Sequence, residues 1–346
     1  MKIGSVIYST NSGLGILAKE FYDAGVLHNV LVEKHPRYEN YFNRYQGANI
    51  VGPYGSWNTY NWLDTDNDKF EEFIENTDIL LVFEIPFYNR LLDEFRKRNK
   101  KIVWMPMWEC TPIAELHQAD GFLAASDIES KILSKMFSDL KPIKRINVPT
   151  HSKIKFQKRN FAQTFVHNDG NGSSLDRNGT NALLQAMRYV KSPISLQVRS
   201  QRRQHRCSDE RVEIINQNIK FADLWSSGDV FIFPERWNGL SLPIQEACGS
   251  GMAIMCGDRF PLNKWLPKDI LIPTEKWQPN AVCEIIPGQK FPFSTYDPKK
   301  IAESIDGLYG KNIEKYSEFG KEWGERNHWS VLKPQYLDFL ESILHD

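Results

Sequence analysis

Apolar positions along this chain follow two patterns that take turns. Short apolar runs read as strands, and longer stretches with apolar residues three and four apart read as helices with one buried side. The first half predicts strands at Ile3–Tyr8, Val30–Glu33, Ile79–Glu84, Ile102–Met107, Gly121–Ala125 and Lys144–Val148. Helices at Gly15–Ala24, Lys69–Glu75, Asn89–Arg98 and Ile128–Phe137 fall between them. Alternation at this spacing predicts a parallel sheet wrapped by helices. The polar, basic stretch His151–Asn160 reads as a linker.

The second half repeats the scheme. It predicts strands at Phe161–His167, Ile194–Arg199, Val230–Phe233 and Met252–Cys256, with helices at Gly179–Val190 and Ala222–Ser226 and one opened by Asn238–Ser241. Pro287–Pro298 reads as an aromatic, proline-rich loop. Pro298–Leu308 and Asn312–Leu344 read as helices, the second broken at Pro334. The expected fold class is α/β, with two Rossmann-like doubly wound domains. Such a pair leaves a cleft at the carboxyl ends of its strands, where sheets of this kind bind ligands.

Composition narrows the picture. The chain has 346 residues, room for two domains. Its 41% hydrophobic and 25% charged residues mark a globular protein rather than a disordered one. Formal net charge is +0, so attraction to nucleic acid or membrane would have to come from local patches. No apolar run has the roughly 18 residues that a membrane span needs. Five scattered cysteines without a CxxC pair point to a reduced compartment, with a cytoplasmic location expected.

Four segments with chemical character fall at strand ends. Ser12-Gly13-Leu14-Gly15 follows the first strand and opens a helix, so a phosphate or another backbone can approach closely. Asp169–Thr180, DGNGSSLDRNGT, is rich in Gly and Asn and carries Arg177, whose guanidinium suits a diphosphate; Thr180 is placed to help cap the next helix. Arg199–Arg211, RSQRRQHRCSDER, holds the densest positive cluster: Arg199, Arg202, Arg203, His205 and Arg206. It reads equally as a solvated face, as donor-phosphate binding through Arg199, or as a seat for an acidic polymer through the others. The fourth, Asp229–Gly257, is the most informative. It runs strand, proline loop, Asn238-Gly239-Leu240-Ser241, helix with Glu246, Gly-rich stop and second strand. A strand feeding a helix in this way gathers amides and a positive dipole end into a phosphate site, and a carboxylate along the helix can grip a ribose.

Other residues carry weaker signals. Asp64-Thr65-Asp66 has the form of a DxD metal motif, but it precedes a helix, where turn and capping roles explain it; no metal is expected. His117 and His167 stand alone, His167 at a strand end. Glu109, in Met107-Trp108-Glu109-Cys110, and in reserve Glu84 are carboxylates at strand ends of the first half, fit to orient an acceptor or a sugar, or else to cap.

The fourth segment resembles the donor-binding domain of GT-B glycosyltransferases, in particular the large retaining group often called family 4. That group shows an Asp-containing strand into Pro, then Glu-Gly-Phe-Gly-Leu-Pro, Glu-Ala, Gly-Met/Leu-Pro and a strand. This chain has Asp229, Pro234, Asn238-Gly239-Leu240-Ser241-Leu242-Pro243, Glu246-Ala247 and Gly251-Met252-Ala253 at the same spacing. The resemblance extends to the Gly13 turn, to Gly179-Thr180 with Leu183, Leu184 and Ala186, to Asp223-Leu224-Trp225 and to the Trp329 helix. It implies a first domain at 1–150 for the acceptor, a second at 160–325 for the nucleotide sugar, and a helix at 326–346 crossing back to the first.

The resemblance also implies roles. Glu246 would hold the nucleotide ribose, Asn238 would stand where the group has a carboxylate on the sugar, and the amides of Gly239, Leu240 and Ser241 would meet the sugar and distal phosphate. The group's phosphate-binding Lys falls on Asn178 and its Arg near Gly172, which leaves Arg177 and Arg199 as substitutes. These departures resemble a branch found in bacteriophage genomes, where RNGT and GLSLPIQEA-type strings occur. The implied reaction is metal-independent transfer of a hexose or pentose, with retention, from a UDP-sugar or similar donor to an acceptor hydroxyl. A hydroxymethylated base in phage DNA is one acceptor, with Arg202, Arg203, His205 and Arg206 as its contacts. A glycan or small molecule is another. Nucleotide-sugar epimerases or hydrolases of the same fold, and a non-catalytic module binding DNA or nucleotide, are the rival readings.

Overall fold

Apolar runs bounded by turns, such as Ile3–Tyr8, Ile79–Phe83 and Val230–Phe233, become strands buried on both faces. The computed structural model describes residues 1–33, 45, 49–50, 67–87, 89–108, 111–137, 140–170, 176–201, 205–238, 240–278 and 293–345. The chain divides into two compact units, Met1–Pro149 with Trp329–Asp346, and Thr150–His328.

Unit 1 runs β1 (Ile3–Tyr8), α1 (Gly13–Asp23), β2 (Asn29–Glu33), β3 (Asn49–Ile50), α2 (Asn67–Glu75), β4 (Ile79–Phe83), α3 (Asn89–Lys97), β5 (Lys101–Met105), β6 (Gly121–Ala124), α4 (Asp127–Phe137) and β7 (Ile143–Arg145). Among the described residues the strands form one sheet in the order β3-β2-β1-β4-β5-β6-β7, with every pairing parallel. The order reverses between β1 and β4, as in a doubly wound sheet. Every residue of β1 and β4 is buried. One core gathers Phe70, Phe73, Leu91, Phe95, Trp104 and Phe122 from the helices and the sheet face they cover.

Unit 2 runs β8 (Thr164–Gly170), α5 (Thr180–Ala186), β9 (Ser195–Ser200), β10 (Val212–Asn216), α6 (Phe221–Leu224), β11 (Val230–Phe233), α7 (Leu242–Gly249), β12 (Ala253–Cys256), β13 (Glu275–Gln278), β14 (Phe293–Thr295), α8 (Pro298–Leu308) and α9 (Glu314–Arg326). Its main sheet has the order β10-β9-β8-β11-β12, again all parallel, and reverses between β8 and β11. Leu183, Leu196, Val230 and Ile305 belong to one core, Phe231, Ile244, Ile254 and Trp323 to the other.

Helix α10 (Trp329–His345) then returns to unit 1. It buries Trp329, Leu332, Tyr336, Phe339, Leu340 and Ile343, one stripe at helical spacing. Trp329 Nε1–H donates to Glu20 at 3.1 Å, and Phe21 meets both Trp329 and Tyr336 edge-on at 5.0 Å. Tyr336 donates its hydroxyl proton to the Asn147 carbonyl at 2.7 Å.

Several expectations shift. The helical break in the last third lies at Asn327 and His328, between α9 and α10, and not at Pro334, which is exposed inside α10. Tertiary burial of the α10 stripe outweighs the one hydrogen bond that proline removes. Strand β10 follows the basic run and was not expected; it is a partly exposed edge strand whose polar alternation hides it. The antiparallel pair β13 and β14 was likewise missed. The expected linker is packed against unit 2: Arg159 is buried and donates to the carbonyls of Gly228 and Gln157 at 2.7 and 3.0 Å.

Candidate active site

The crossover between β8 and β11 is where two loops of unit 2 meet. Gly179, with φ +73°, is the point of closest approach: a Cβ there would lie 2.0 Å from the Pro234 carbonyl oxygen. Arg236 N–H donates to the Arg177 carbonyl at 2.7 Å, and Arg177 Nε–H donates to the Trp237 carbonyl at 3.3 Å. Arg177 is thus braced beside the loop that leads from β11 into α7.

Beneath this contact lies a buried polar cluster at the end of β8. Asp169 accepts from Thr180 Oγ1 at 2.8 Å, from Ser200 Oγ at 3.0 Å and from His205 Nε2 at 2.9 Å. Burial alone would raise its pKa, but the hydrogen bonds from His205, Thr180 and Ser200 outweigh it and hold the carboxyl below the usual range. His167 is fully buried, with Nδ1 donating to the Ile232 carbonyl at 2.9 Å and Nε2 2.8 Å from Thr180 Oγ1. Burial pushes its pKa down to about 4, so at neutral pH the ring carries one proton. The single hydroxyl proton of Thr180 serves the ring or the carboxylate, not both at once. Thr180 is not the cap of α5; the Asp176 carboxylate takes the Asn181 and Ala182 amides at 2.9 and 3.3 Å.

The loop after β11 is shaped by its own side chains. Asn238 Oδ1 accepts from the amides of Leu240 and Ser241 at 3.0 and 2.9 Å, which folds the loop into an Asx turn. Ser241 takes a left-handed conformation with φ +51° at the start of α7. Its hydroxyl donates to Glu235, whose same carboxylate oxygen also receives the Arg259 guanidinium. Glu235 and Arg259 are 0% and 5% exposed, so this ion pair is sealed from solvent. Arg259 Nη1 reaches the Asn238 carbonyl at 3.3 Å, and Tyr296 donates its hydroxyl proton to the Glu235 carbonyl at 2.7 Å. Glu246 sits one turn into α7, half-buried.

The structure brings Arg177, Asn238, Leu240, Ser241 and Glu246 into this one region. Arg199 is a correction. Its side chain is buried and donates to the Leu224 carbonyl, to Ser227 at 2.9 Å and to Gln197 at 3.2 Å, so it ties β9 to the α6 segment instead of offering an open fork to a phosphate. It left no sequence signal, because an arginine at a strand end reads the same whichever face it takes. His205 is a second correction: pinned to Asp169 with its side chain 9% exposed, it does not face outward as an acceptor contact would, while Arg206 is exposed. Arg211 is held by Asp209 and by the carbonyls of Val190, Ser192 and Met187. Glu109, Arg202, Arg203, Gly239 and the Asp64-Thr65-Asp66 motif lie outside the described residues. Glu235, Arg259 and Asp169 were missed; a carboxylate after a proline carries no mark of burial.

In unit 1, Gly13 is exposed at the first position of α1. The glycine that sterics require there is Gly15, where a Cβ would sit 2.4 Å from the Thr10 carbonyl oxygen. Glu84 is buried at the end of β4 with φ +59°. Its carbonyl accepts from Trp104 Nε1 at 3.2 Å and from Thr111 Oγ1 at 2.9 Å. His117 is exposed, its Nδ1 2.6 Å from the Ala114 carbonyl. Among the described residues no three His, Cys, Asp or Glu side chains group as metal ligands, and no helix is long and apolar enough to cross a membrane.

No protein-family model matches the chain, and no curated protein does. Solved structures do. A glycosyltransferase from Rickettsia africae superposes with a TM-score of 0.68 at 13% identity, covering 99% of this chain and 98% of its own. Sucrose-phosphate synthase from Thermosynechococcus elongatus gives 0.65 at 12% identity, with all of both chains covered. HepE from Anabaena, solved with UDP and glucose, gives 0.63 at 11%, covering 99% of this chain and 100% of that one. The chain spans 61% and 60% of the longer chains of the GtfA/B complex and of pneumococcal GtfA. Likeness over the full length at such low identity establishes the architecture: this is an α/β chain of the GT-B class, built of two Rossmann-like units.

Proposed function

We propose that the protein is a glycosyltransferase that moves a sugar from a nucleoside diphosphate sugar, a UDP-sugar in the first instance, to an acceptor hydroxyl. The observation that carries this is the β8–β11 crossover, where braced Arg177, the Asn238 turn opening α7, and Glu246 within α7 occur together. Ligands of doubly wound sheets bind at such a crossover, and HepE and pneumococcal GtfA were each solved with UDP and a sugar.

In this reading Glu246 holds the ribose, Arg177 meets the diphosphate, and Asn238 faces the glycosyl group. Negative charge grows on the leaving diphosphate as the glycosidic bond breaks. Charges fixed in advance stabilise it without having to reorganise, so the Arg177 guanidinium and the positive end of α7 can do what a metal does elsewhere. Retention follows if the acceptor attacks the face that the diphosphate leaves, with a phosphate oxygen taking the acceptor proton.

For the acceptor, a glycan or small-molecule hydroxyl is favoured over a hydroxymethylated base in DNA. Arg199, His205 and Arg211 are spent on the unit's own carbonyls and carboxylates, which leaves the described part of the basic run with Arg206 exposed. DNA binding that weakens steeply with added salt would reverse that preference.

Arg177→Ala lowers turnover roughly a hundredfold with the fold intact, measured as UDP release from a panel of UDP-sugars. Glu246→Ala weakens UDP binding about tenfold by calorimetry. Wild-type values for both variants would remove this crossover from the chemistry.

A further inference from the structure

The loop that enters α7 is held from behind by charges that solvent never touches. Glu235 is 0% exposed, and one of its oxygens receives both the Ser241 hydroxyl and the Arg259 guanidinium. Arg259 reaches on to the Asn238 carbonyl at 3.3 Å. The two ends of the segment 238–241 are therefore fastened to one ion pair, Asn238 through its carbonyl and Ser241 through its hydroxyl. A buried pair of this kind seldom adds net stability over an apolar filling of the same volume, whereas it can specify a single geometry. Ser241 makes the point sharper. A left-handed residue is easiest as glycine, and a serine there contributes one thing a glycine lacks, the hydroxyl bound to Glu235.

Among the described residues, three buried polar atoms around the same loop have no partner: Glu235 Oε2, Arg259 Nε and Trp237 Nε1. Unmet hydrogen bonds are costly in a core whose only task is stability.

We infer that Glu235, acting through Ser241 and Arg259, is a positioning residue that sets Asn238 and Ser241 for the glycosyl part of the donor. Glu235 does not touch substrate. It fixes the turn in which Asn238 Oδ1 holds the Leu240 and Ser241 amides, and with it the direction of the Asn238 Nδ2 donor, and so governs which sugar is accepted rather than whether the nucleotide binds. This rests on the reading of the site given above, and the test separates the two.

The experiment compares affinity for UDP with affinity for the UDP-hexose that wild-type protein binds most tightly among UDP-glucose, UDP-galactose and UDP-N-acetylglucosamine, by calorimetry. Ser241→Gly is the first variant, because its backbone conformation suits glycine and folding should persist. Glu235→Gln is the second; it keeps a hydrogen-bonding group and removes the charge. Both are expected to weaken binding of the UDP-hexose about tenfold, with UDP affinity changed less than about twofold. Equal weakening of both ligands, or of neither, in the folded Ser241→Gly variant overturns the inference and leaves the reading of function standing. Wild-type protein that binds no UDP and no UDP-hexose overturns the reading of function, and the inference with it.

Discussion

At the β8–β11 crossover of unit 2, side chains hold the geometry: Asp169 gathers Thr180, Ser200 and His205, and Glu235 gathers Ser241 and Arg259. At the matching β1–β4 crossover of unit 1 the main chain does more of it. Glu84 and Phe87 take φ values of +59° and +61°, and the Glu84 carbonyl is the group that Trp104 and Thr111 hold. Tyr8 and Phe87 meet edge-on with ring centroids 4.4 Å apart, an apolar contact with no charge in it. One topology is therefore built in two ways. Where side chains define the shape, each of them is constrained. Where carbonyls define it, the side chains around them carry less of the geometry.

The comparison can be broken most forcefully at Glu235. Glu235→Ala leaves the Arg259 guanidinium buried without its partner, at a cost of about 3–5 kcal/mol. Chemical denaturation should show the transition of unit 2 moving to lower denaturant while that of unit 1 stays in place. Equal movement of both would mean that the pair serves the whole chain.

A somewhat smaller effect comes from pH. His167 has a folded-state pKa of about 4 against an ordinary 6.5, so the unfolded chain takes up a proton in that interval and the native state does not. Stability therefore falls as pH drops from about 6.5 towards 4, by about 3 kcal/mol in all. Asp169, held below the usual carboxylate range, stays charged through most of this window. His167→Gln should flatten the dependence of unfolding midpoint on pH across it, and an unchanged slope would assign the dependence to other groups.

The smallest effect is expected in unit 1. Glu84→Gly exchanges a strained left-handed residue for one at ease there, at the cost of a looser unfolded chain, and the two contributions nearly cancel to within about 1 kcal/mol. A loss the size of that at Glu235 would show that the Glu84 side chain, and not its carbonyl, holds the crossover.

Much of the architecture was legible in the sequence because buried parallel strands are nearly continuous apolar runs. The bounds of β1, β11 and α8 follow from such runs and from Pro298 at a helix start. β10 was not legible, since an edge strand half open to water carries a mixed pattern that a basic run disguises. The α9–α10 break was not legible either, because the composition marks Pro334 and only tertiary burial marks Asn327. Around the candidate site Gly179 at the entry of α5 and the placing of Glu246 within a helix were readable from spacing. The direction of Arg199 and the inward turn of His205 depend on which face of β9 and which neighbour each side chain finds, and spacing does not encode that.

Unit 1 is interrupted in the chain: its sheet is complete by Pro149, yet α10, which covers Phe21, comes from Trp329 onward. A ribosome making this protein therefore releases a half-finished first unit and spells out the whole of the second before the cover arrives. Until then Phe21 and its neighbours are an open, sticky surface on the nascent polypeptide. Helix α10 acts as a latch on work begun some three hundred residues earlier, so premature termination anywhere between Pro149 and Trp329 should yield an aggregation-prone product rather than a shorter working one.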